Sequence, residues 1–169
     1  MKHKLYVNIL IILGSSAVLL FLWYLGLKIL YAKILIGLTN LFLLPWPDTY
    51  LKVFIQADQP VFEVFTLIDG KNAKYPQETK LILLPILMIL TWQTLIFFNL
   101  HWKKAWASTL SNLGIFLGIQ VIFVLLLTSY YTSPVAKYIY DLLTDSFYIV
   151  ALFLIVKDTF KYRLINFKS

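Results

Sequence analysis

Four long apolar stretches constrain this chain more than any other feature of its sequence. They cover residues 5–27, 81–100, 105–128 and 139–156. A helix rises about 1.5 Å per residue and a bilayer core is about 30 Å thick, so each stretch is long enough, or nearly so, to cross a membrane. The chain has 14% charged residues, whereas a typical soluble domain has about 25%. We therefore predict an α-helical integral membrane protein with four transmembrane helices in a single membrane domain, 1–169.

The charged residues between these stretches predict how the helices are oriented. With the N-terminus in the cytoplasm, the inside positions carry eight basic residues and one acid, Asp158, whereas the outside positions carry seven of each sign. Basic residues are enriched in cytoplasmic loops, where anionic lipid head groups attract them. We expect a multi-pass protein of the bacterial inner (plasma) membrane, with both termini cytoplasmic and an anionic inner leaflet as a partner. Such basic anchors account for the +7 net charge without nucleic acid.

The residues that follow the first apolar stretch predict one more helix. Residues 28–44 are apolar at most positions, and Lys28 and Lys33 are spaced to share a polar flank. We expect this helix to lie in the outer interface or to extend the first span at a tilt. Pro45 and Pro47 end it, because proline lacks the backbone N–H and restricts the residue before it.

Residues 45–80 predict a small β-containing extracytoplasmic lobe between the first two spans. Strand-forming residues dominate 50–56 and 61–68, and Gln59-Pro60 predicts a break between these two strands. The turn signal at 69–72 predicts a short returning strand over 73–75. Two or three strands alone are only marginally stable in water. We therefore expect the lobe to lean on the membrane surface, on the 28–44 helix or on a partner.

The third span carries a face of small residues. Ala107, Ser111, Gly114 and Gly118 are spaced four, three and four residues apart. Small residues allow two helix backbones to approach closely inside a membrane, where lipid offers no hydrophobic drive for association. This spacing predicts a specific helix contact, either within the bundle or with a partner subunit. Gln120 lies near the middle of the same span and is expected to form hydrogen bonds across the bundle.

Asp141 and Asp145 are the acids expected to enter the membrane. Spaced i, i+4, they would share one helix face at the outer start of the fourth span. Paired carboxylates perform acid–base chemistry when their pKa values are driven apart. Acids in the first turn of a helix also complement the positive end of its dipole. The sequence leaves both interpretations open.

Other site chemistry is not indicated. The chain has no cysteine, which excludes disulfides and thiolate metal sites. Its two histidines, His3 and His101, lie beside lysines, and neither has a nearby carboxylate or second histidine. We therefore predict no catalytic residue, no cofactor-binding residue and no metal site, and we expect no cofactor.

The order of these segments resembles a family of small membrane proteins that accompany exosortases, the exosortase H-associated type. An N-terminal anchor precedes the sequence Leu44-Pro45-Trp46-Pro47, a strand-rich outer segment follows, and the next span carries Pro85 early. The resemblance implies a role near protein sorting or surface-polymer export in a Gram-negative inner membrane. Exosortases themselves use Cys, Arg and His. This chain has no cysteine and a single arginine, Arg163, so the resemblance carries over no catalytic residue.

Two hypotheses for function follow from the sequence. The first is a non-enzymatic accessory or scaffold subunit of a membrane complex, a four-helix bundle that contacts another membrane protein. The alternative is an intramembrane enzyme or a small transporter subunit that uses Asp141 and Asp145, with Gln120 lining a cavity. Ionisable residues inside the membrane mark most pumps and transporters. Their near absence from the four spans favours the accessory subunit.

Overall fold

The computed structural model describes residues 2–68 and 70–162. The described chain is mostly helical, at 72%, and contains one three-stranded sheet. Its elements follow in the order α1 (Lys2–Leu22), α2 (Lys28–Leu43), β1 (Tyr50–Gln56), β2 (Gln59–Ile68), β3 (Lys71–Glu78), α3 (Lys80–Leu83), α4 (Ile86–Asn99), α5 (Trp102–Thr128), α6 (Pro134–Leu143) and α7 (Phe147–Tyr162).

Among the described residues, three helical runs are long and apolar enough to cross a membrane. They are Tyr6–Leu43, Lys80–Asn99 and Trp102–Thr128. The predicted fold class is confirmed to this extent, as a mainly helical chain with apolar spans and a small sheet. The stretch predicted as a fourth span, 139–156, falls on α6 and α7, which a short turn at Thr144–Ser146 separates. These two helices make a fourth candidate only when they are taken together.

The first apolar run is broken at Gly26. This residue has a φ of 123°, which a residue with a side chain rarely adopts, so glycine suits the break. Helix α2 begins two residues later at Lys28 and ends at Leu43, ahead of Pro45, as predicted. Lys28 is buried whereas Lys33 is exposed. The shared polar flank predicted for these two lysines is therefore wrong, because they lie on different sides of α2.

The described residues divide into two compact units. The first takes in the chain up to Leu25, Pro85–Phe116 and the residues from Tyr148 onward. Its core forms where α1 packs against α4 and where α4 approaches the start of α5. The buried core residues are Trp92, Leu95, Ile96 and Ala105, with Ile11, Ile12, Phe97, Leu100 and Ile155 packed around them.

The second unit contains Gly26–Leu84 and Leu117–Phe147, and its sheet is an antiparallel meander in the order β1-β2-β3. The predicted break at Gln59-Pro60 is wrong, since both residues pair within β2. The turn lies at Ala57 and Asp58, which have φ values of 47° and 59°. Positive φ at both residues of a two-residue loop is the type I′ hairpin turn, whose twist matches that of the strands. β3 is also longer than the three residues predicted.

Helix α2 packs against strands β1 and β2 of this sheet. Leu35 and Ile36 of α2 and Leu51, Phe62 and Val64 of the strands are buried there. The lobe therefore leans on the 28–44 helix, one of the three supports that the sequence suggested. A marginal sheet is stabilised in this way by apolar burial against a helix.

Polar side chains fasten the sheet at further points. Tyr75 of β3 donates its hydroxyl to the backbone carbonyl of Leu127 near the end of α5, and burial raises the pKa of this tyrosine. The Thr79 hydroxyl donates to the carbonyl of Pro60 at 2.5 Å. The Thr79 side chain makes no cap hydrogen bond to the helix that follows. It ties the end of β3 back to β2 instead.

Asn40 joins α2 to the outer edge of β1. Its Nδ2 donates to the Leu51 carbonyl at 2.9 Å, and the Leu51 N–H donates to its Oδ1 at 2.9 Å. The amide thus pairs with Leu51 as a residue of a neighbouring strand would.

Replacing Asn40 by Ala should lower the free energy of unfolding by about 2 kcal/mol, because both backbone groups of Leu51 lose their partner. Equilibrium unfolding in detergent tests this, with amide exchange at Leu51 as a local readout. Asn72→Ala, at an exposed position of β3, is the matched control and should change the stability by less than about 0.5 kcal/mol. Equal effects of the two substitutions would contradict the assignment.

Candidate functional site

A buried carboxylate lies near the end of α7, where the sequence predicted none. Helix α7 continues past the expected limit at residue 156 to Tyr162, so Lys157 and Asp158 are helical. Asp158 is only 1% exposed. The sequence placed Asp158 among the charged residues of the inner side and did not predict its burial. Its burial places it among the groups that normally have a function or a defined structural partner.

Helix α5 supplies the partners of this carboxylate. Ser108 Oγ and Asn112 Nδ2 each donate a hydrogen bond to Asp158 Oδ2 at 2.6 Å. Lys157 Nζ donates to Asn112 Oδ1 at 2.6 Å and lies 3.9 Å from Asp158 Oδ1. Asn112 thus bridges the ammonium and carboxylate groups of two consecutive residues. Ser108 and Asn112 are four residues apart, and this spacing places both on the same face of α5.

Gln93 of α4 extends the cluster to a third helix. Its side-chain amide lies 3.0 Å from Thr109 Oγ, which is also 3.0 Å from the Ala105 carbonyl oxygen. A hydroxyl group has one proton to donate, and Gln93 Nε2 otherwise has no hydrogen-bond partner among the described residues. If the Gln93 amide is flipped, Nε2 donates to the Thr109 hydroxyl and the hydroxyl donates its one proton to the Ala105 carbonyl. Nε2 then has a partner, and Thr109 donates only once. The cluster then links α4, α5 and α7.

The chemistry available to this cluster is limited. It contains one carboxylate and one ammonium group, both engaged, and no second acid to form an acid–base pair. Among the described residues, no group of three His, Cys, Asp or Glu side chains is arranged to hold a metal ion. Breaking a buried ion pair by removing one partner usually costs several kcal/mol. The arrangement is therefore suited to holding three helices together.

Two features of the sequence indicate this cluster. Gln93 and Asn112 are isolated polar residues within apolar spans, where an unpaired amide would be costly. Residues 147–162 contain no glycine or proline, so no helix-stop signal is present at Val156. Neither signal identifies the partners, because the three helices are far apart in the sequence.

Gln120 forms the hydrogen bonds across helices that the sequence predicted. It is 0% exposed and its Nε2 donates to the Ile82 carbonyl of α3 at 2.5 Å. The Tyr31 hydroxyl of α2 donates to its Oε1. Ile82 lies in the last turn before Pro85, which interrupts the helix between α3 and α4. Gln120 therefore bonds a backbone carbonyl close to the proline break, where regular helical bonding is interrupted.

The small-residue face of α5 has no contact within the described chain that requires small residues. Ala107, Ser111, Gly114 and Gly118 are all exposed, and a Cβ atom added at either glycine would meet nothing within 4 Å. The contact within the bundle is thus not formed over the described residues. Contact with a partner subunit stays a prediction.

Asp141 and Asp145 lie in two different elements. Asp141 lies in α6, which ends at Leu143, and Asp145 lies in the short 3₁₀ helix that follows, Thr144–Ser146. The exposed Asp141 accepts a hydrogen bond from the Tyr130 hydroxyl at 3.2 Å, whereas the side chain of Asp145 is outside the described part of the chain. The single helix predicted to carry both acids is therefore interrupted between them, and Asp145 lies in the short 3₁₀ helix directly ahead of α7.

Comparison of the chain with protein-family models, with curated proteins and with solved structures found no match.

Proposed function

We propose that this protein is a non-enzymatic accessory or scaffold subunit of a membrane complex, and that it binds another membrane protein through α5. The observation that carries the proposal is the division of α5 into two faces. Its polar side chains on one face, Ser108, Thr109, Asn112 and Gln120, are buried and hydrogen-bonded. Its small residues on the other face are exposed.

The exposed face of α5 suits a helix of a partner protein. Open space above Gly114 and Gly118 allows a second backbone to approach closely, and van der Waals contact is the main attraction between helices in lipid. Large apolar side chains border the small residues, among them Leu110, Ile115 and Ile122, all exposed. They would form the walls of a shallow groove along the helix.

The membrane arrangement is part of the same proposal. Four spans, with α6 and α7 counted together as the fourth, return the chain to its starting side, so both termini lie in the cytoplasm. The basic residues of that side would then face an anionic inner leaflet, while the sheet lies outside. The resemblance to exosortase H-associated proteins suggests protein sorting or surface-polymer export as the process that the complex serves.

The state of the buried polar groups supports a non-enzymatic role. The Asp158 cluster uses its donors and acceptors to connect helices, and Asp141 and Asp145 lie in two different elements. An intramembrane enzyme needs a reactive group that is poised and accessible to substrate. None of the described polar clusters offers one.

Gly114→Leu should reduce partner binding about tenfold or more, because the leucine fills the space that a second helix backbone would occupy. The test is purification of the tagged full-length chain from native membranes in mild detergent, with the ratio of co-purified membrane protein to chain as the readout. Gly37→Leu in α2 is the matched control, since a Cβ there also meets nothing within 4 Å, and it should keep the ratio. An equal ratio for both variants, or a wild-type chain that purifies as a monodisperse monomer, would refute the proposal.

A further inference from the structure

On the outer edge of β1, only some of the backbone groups are hydrogen-bonded to other described residues. Strands β1 and β2 pair from Tyr50↔Phe65 to Gln56↔Gln59, and the two-residue turn follows directly. The residues that flank a two-residue hairpin loop form a hydrogen-bonded pair, and the pairs then alternate along the ladder. Leu51, Val53 and Ile55 therefore fall on non-hydrogen-bonded positions. Their N–H and C=O groups point away from β2.

The Asn40 contact confirms this assignment independently. Asn40 bonds to both the N–H and the C=O of Leu51, which is possible only if both groups point outward. No described residue is hydrogen-bonded to the equivalent groups of Val53 and Ile55. Phe54 and Ile55 are 51% and 49% exposed. An edge with free backbone groups and exposed apolar side chains is a template for another strand.

We propose that this edge binds β1 of a second copy of the chain, antiparallel and centred on Phe54, so that the two sheets join into one. In this register Val53 pairs with Ile55 of the second copy, and Ile55 pairs with its Val53. Both are hydrogen-bonded pairs, because these residues hold the outward groups. Phe54 faces Phe54 of the second copy at a non-hydrogen-bonded position, where side chains approach most closely and aromatic pairs are favourable.

The length of the free edge matches this pairing. The next pair along the ladder would join Leu51 of one copy to Ala57 of the other. Asn40 already occupies the outward groups of Leu51, and Ala57 has left the strand conformation with a φ of 47°. The pairing therefore ends at both sides where the free edge ends. A second copy fits because the edge is complementary to itself about Phe54.

The charges on β1 are compatible with the same register. Lys52 is exposed and would discourage pairing if it faced another lysine, since like charges directly opposite are destabilising. Centring on Phe54 places Lys52 opposite Gln56 of the second copy, so no lysines meet. This interaction is independent of the proposed partner contact on α5, because it uses backbone groups of a different part of the chain.

A cysteine scan tests this register, because the chain has no cysteine of its own. Phe54→Cys should give a disulfide-linked dimer when native membranes are oxidised, since Cα atoms at a non-hydrogen-bonded antiparallel pair are about 4.5 Å apart, within disulfide range. Lys52→Cys alone and Gln56→Cys alone should stay monomeric, because each faces a different residue of the other copy. The two variants expressed together under different tags should cross-link with each other.

A proline variant separates strand pairing from chance collision. Ile55→Pro removes an outward N–H without removing a hydrogen bond to β2, and proline is tolerated at a strand edge. Added to Phe54→Cys, it should reduce the cross-linked fraction at least fivefold while unfolding in detergent shows the fold is kept. Absence of cross-linking by Phe54→Cys, cross-linking by Lys52→Cys alone to the same extent, or cross-linking that survives Ile55→Pro would each overturn the proposal. So would a cross-link from Phe54→Cys to a different protein, which would place another partner at this edge.

Discussion

Replacing Asp158 by Ala should lower the free energy of unfolding by about 3 kcal/mol. The substitution removes the acceptor of two 2.6 Å hydrogen bonds, from Ser108 and Asn112. Both donors are buried, so each would lose its partner without gaining water. The loss of its ion-pair partner costs Lys157 less free energy, because its side chain is 33% exposed and can reach solvent.

The measurement for Asp158 is equilibrium unfolding of the full chain in detergent, with a conservative variant and an exposed control. Asp158→Asn keeps one oxygen that can accept both hydrogen bonds and should cost about half as much as Asp158→Ala, since the charge-assisted component is lost. Asp141→Ala removes an exposed acid with a single hydrogen bond and should cost less than about 1 kcal/mol. If the two alanine variants were equally stable, the cluster would not hold the helices together.

The same variant separates stability from function. Asp158 contacts the buried face of α5, whereas the proposed partner face of α5 is exposed. Loss of Asp158 should therefore reduce the amount of folded chain but leave the ratio of co-purified partner to folded chain unchanged. Gly114→Leu should do the reverse. A parallel fall of that ratio in both variants would mean that the two faces of α5 do not act separately.

Local sequence patterns predicted the elements of this fold better than their contacts. Strand-forming residues located β1 and most of β2, and prolines located the end of α2, because these signals act within a few residues. The break predicted at Pro60 does not occur, because Pro60 pairs within β2. Proline is tolerated in a strand where its missing N–H faces no partner, and Pro60 sits opposite Ile55 at a non-hydrogen-bonded position.

Contacts between segments far apart in the sequence could not be predicted from local patterns. Asp158 follows Lys157 at the end of an apolar run, which is also the pattern of a charged flank in water. Only the assembled helices bring Ser108 and Asn112, about 50 residues earlier in the sequence, to its carboxylate. For Gln120 the sequence predicted a hydrogen bond because of the cost of an unpaired amide in lipid. Its donor, Tyr31, lies 89 residues away, and no local pattern singles it out.

Replacing Gln120 by Leu should lower the free energy of unfolding by about 2 kcal/mol. Leucine fills a similar volume, so the loss comes from hydrogen bonds and not from a cavity. The Ile82 carbonyl and the Tyr31 hydroxyl both lose their bond to the amide, and hydrogen bonds between membrane helices contribute about 0.6 to 2 kcal/mol each. Unfolding in detergent gives the value directly.

A double-mutant cycle assigns part of this loss to Tyr31. Tyr31→Phe removes only the hydroxyl and should cost about 1 kcal/mol by itself. Because the bond between Tyr31 and Gln120 can be lost only once, the double variant should be more stable than the sum of the two single effects predicts, by about 1 kcal/mol. The remainder belongs to the bond with the Ile82 carbonyl beside the proline break. Additivity within about 0.3 kcal/mol would mean that Tyr31 and Gln120 are not coupled, and that Gln120 stabilises the chain through Ile82 alone.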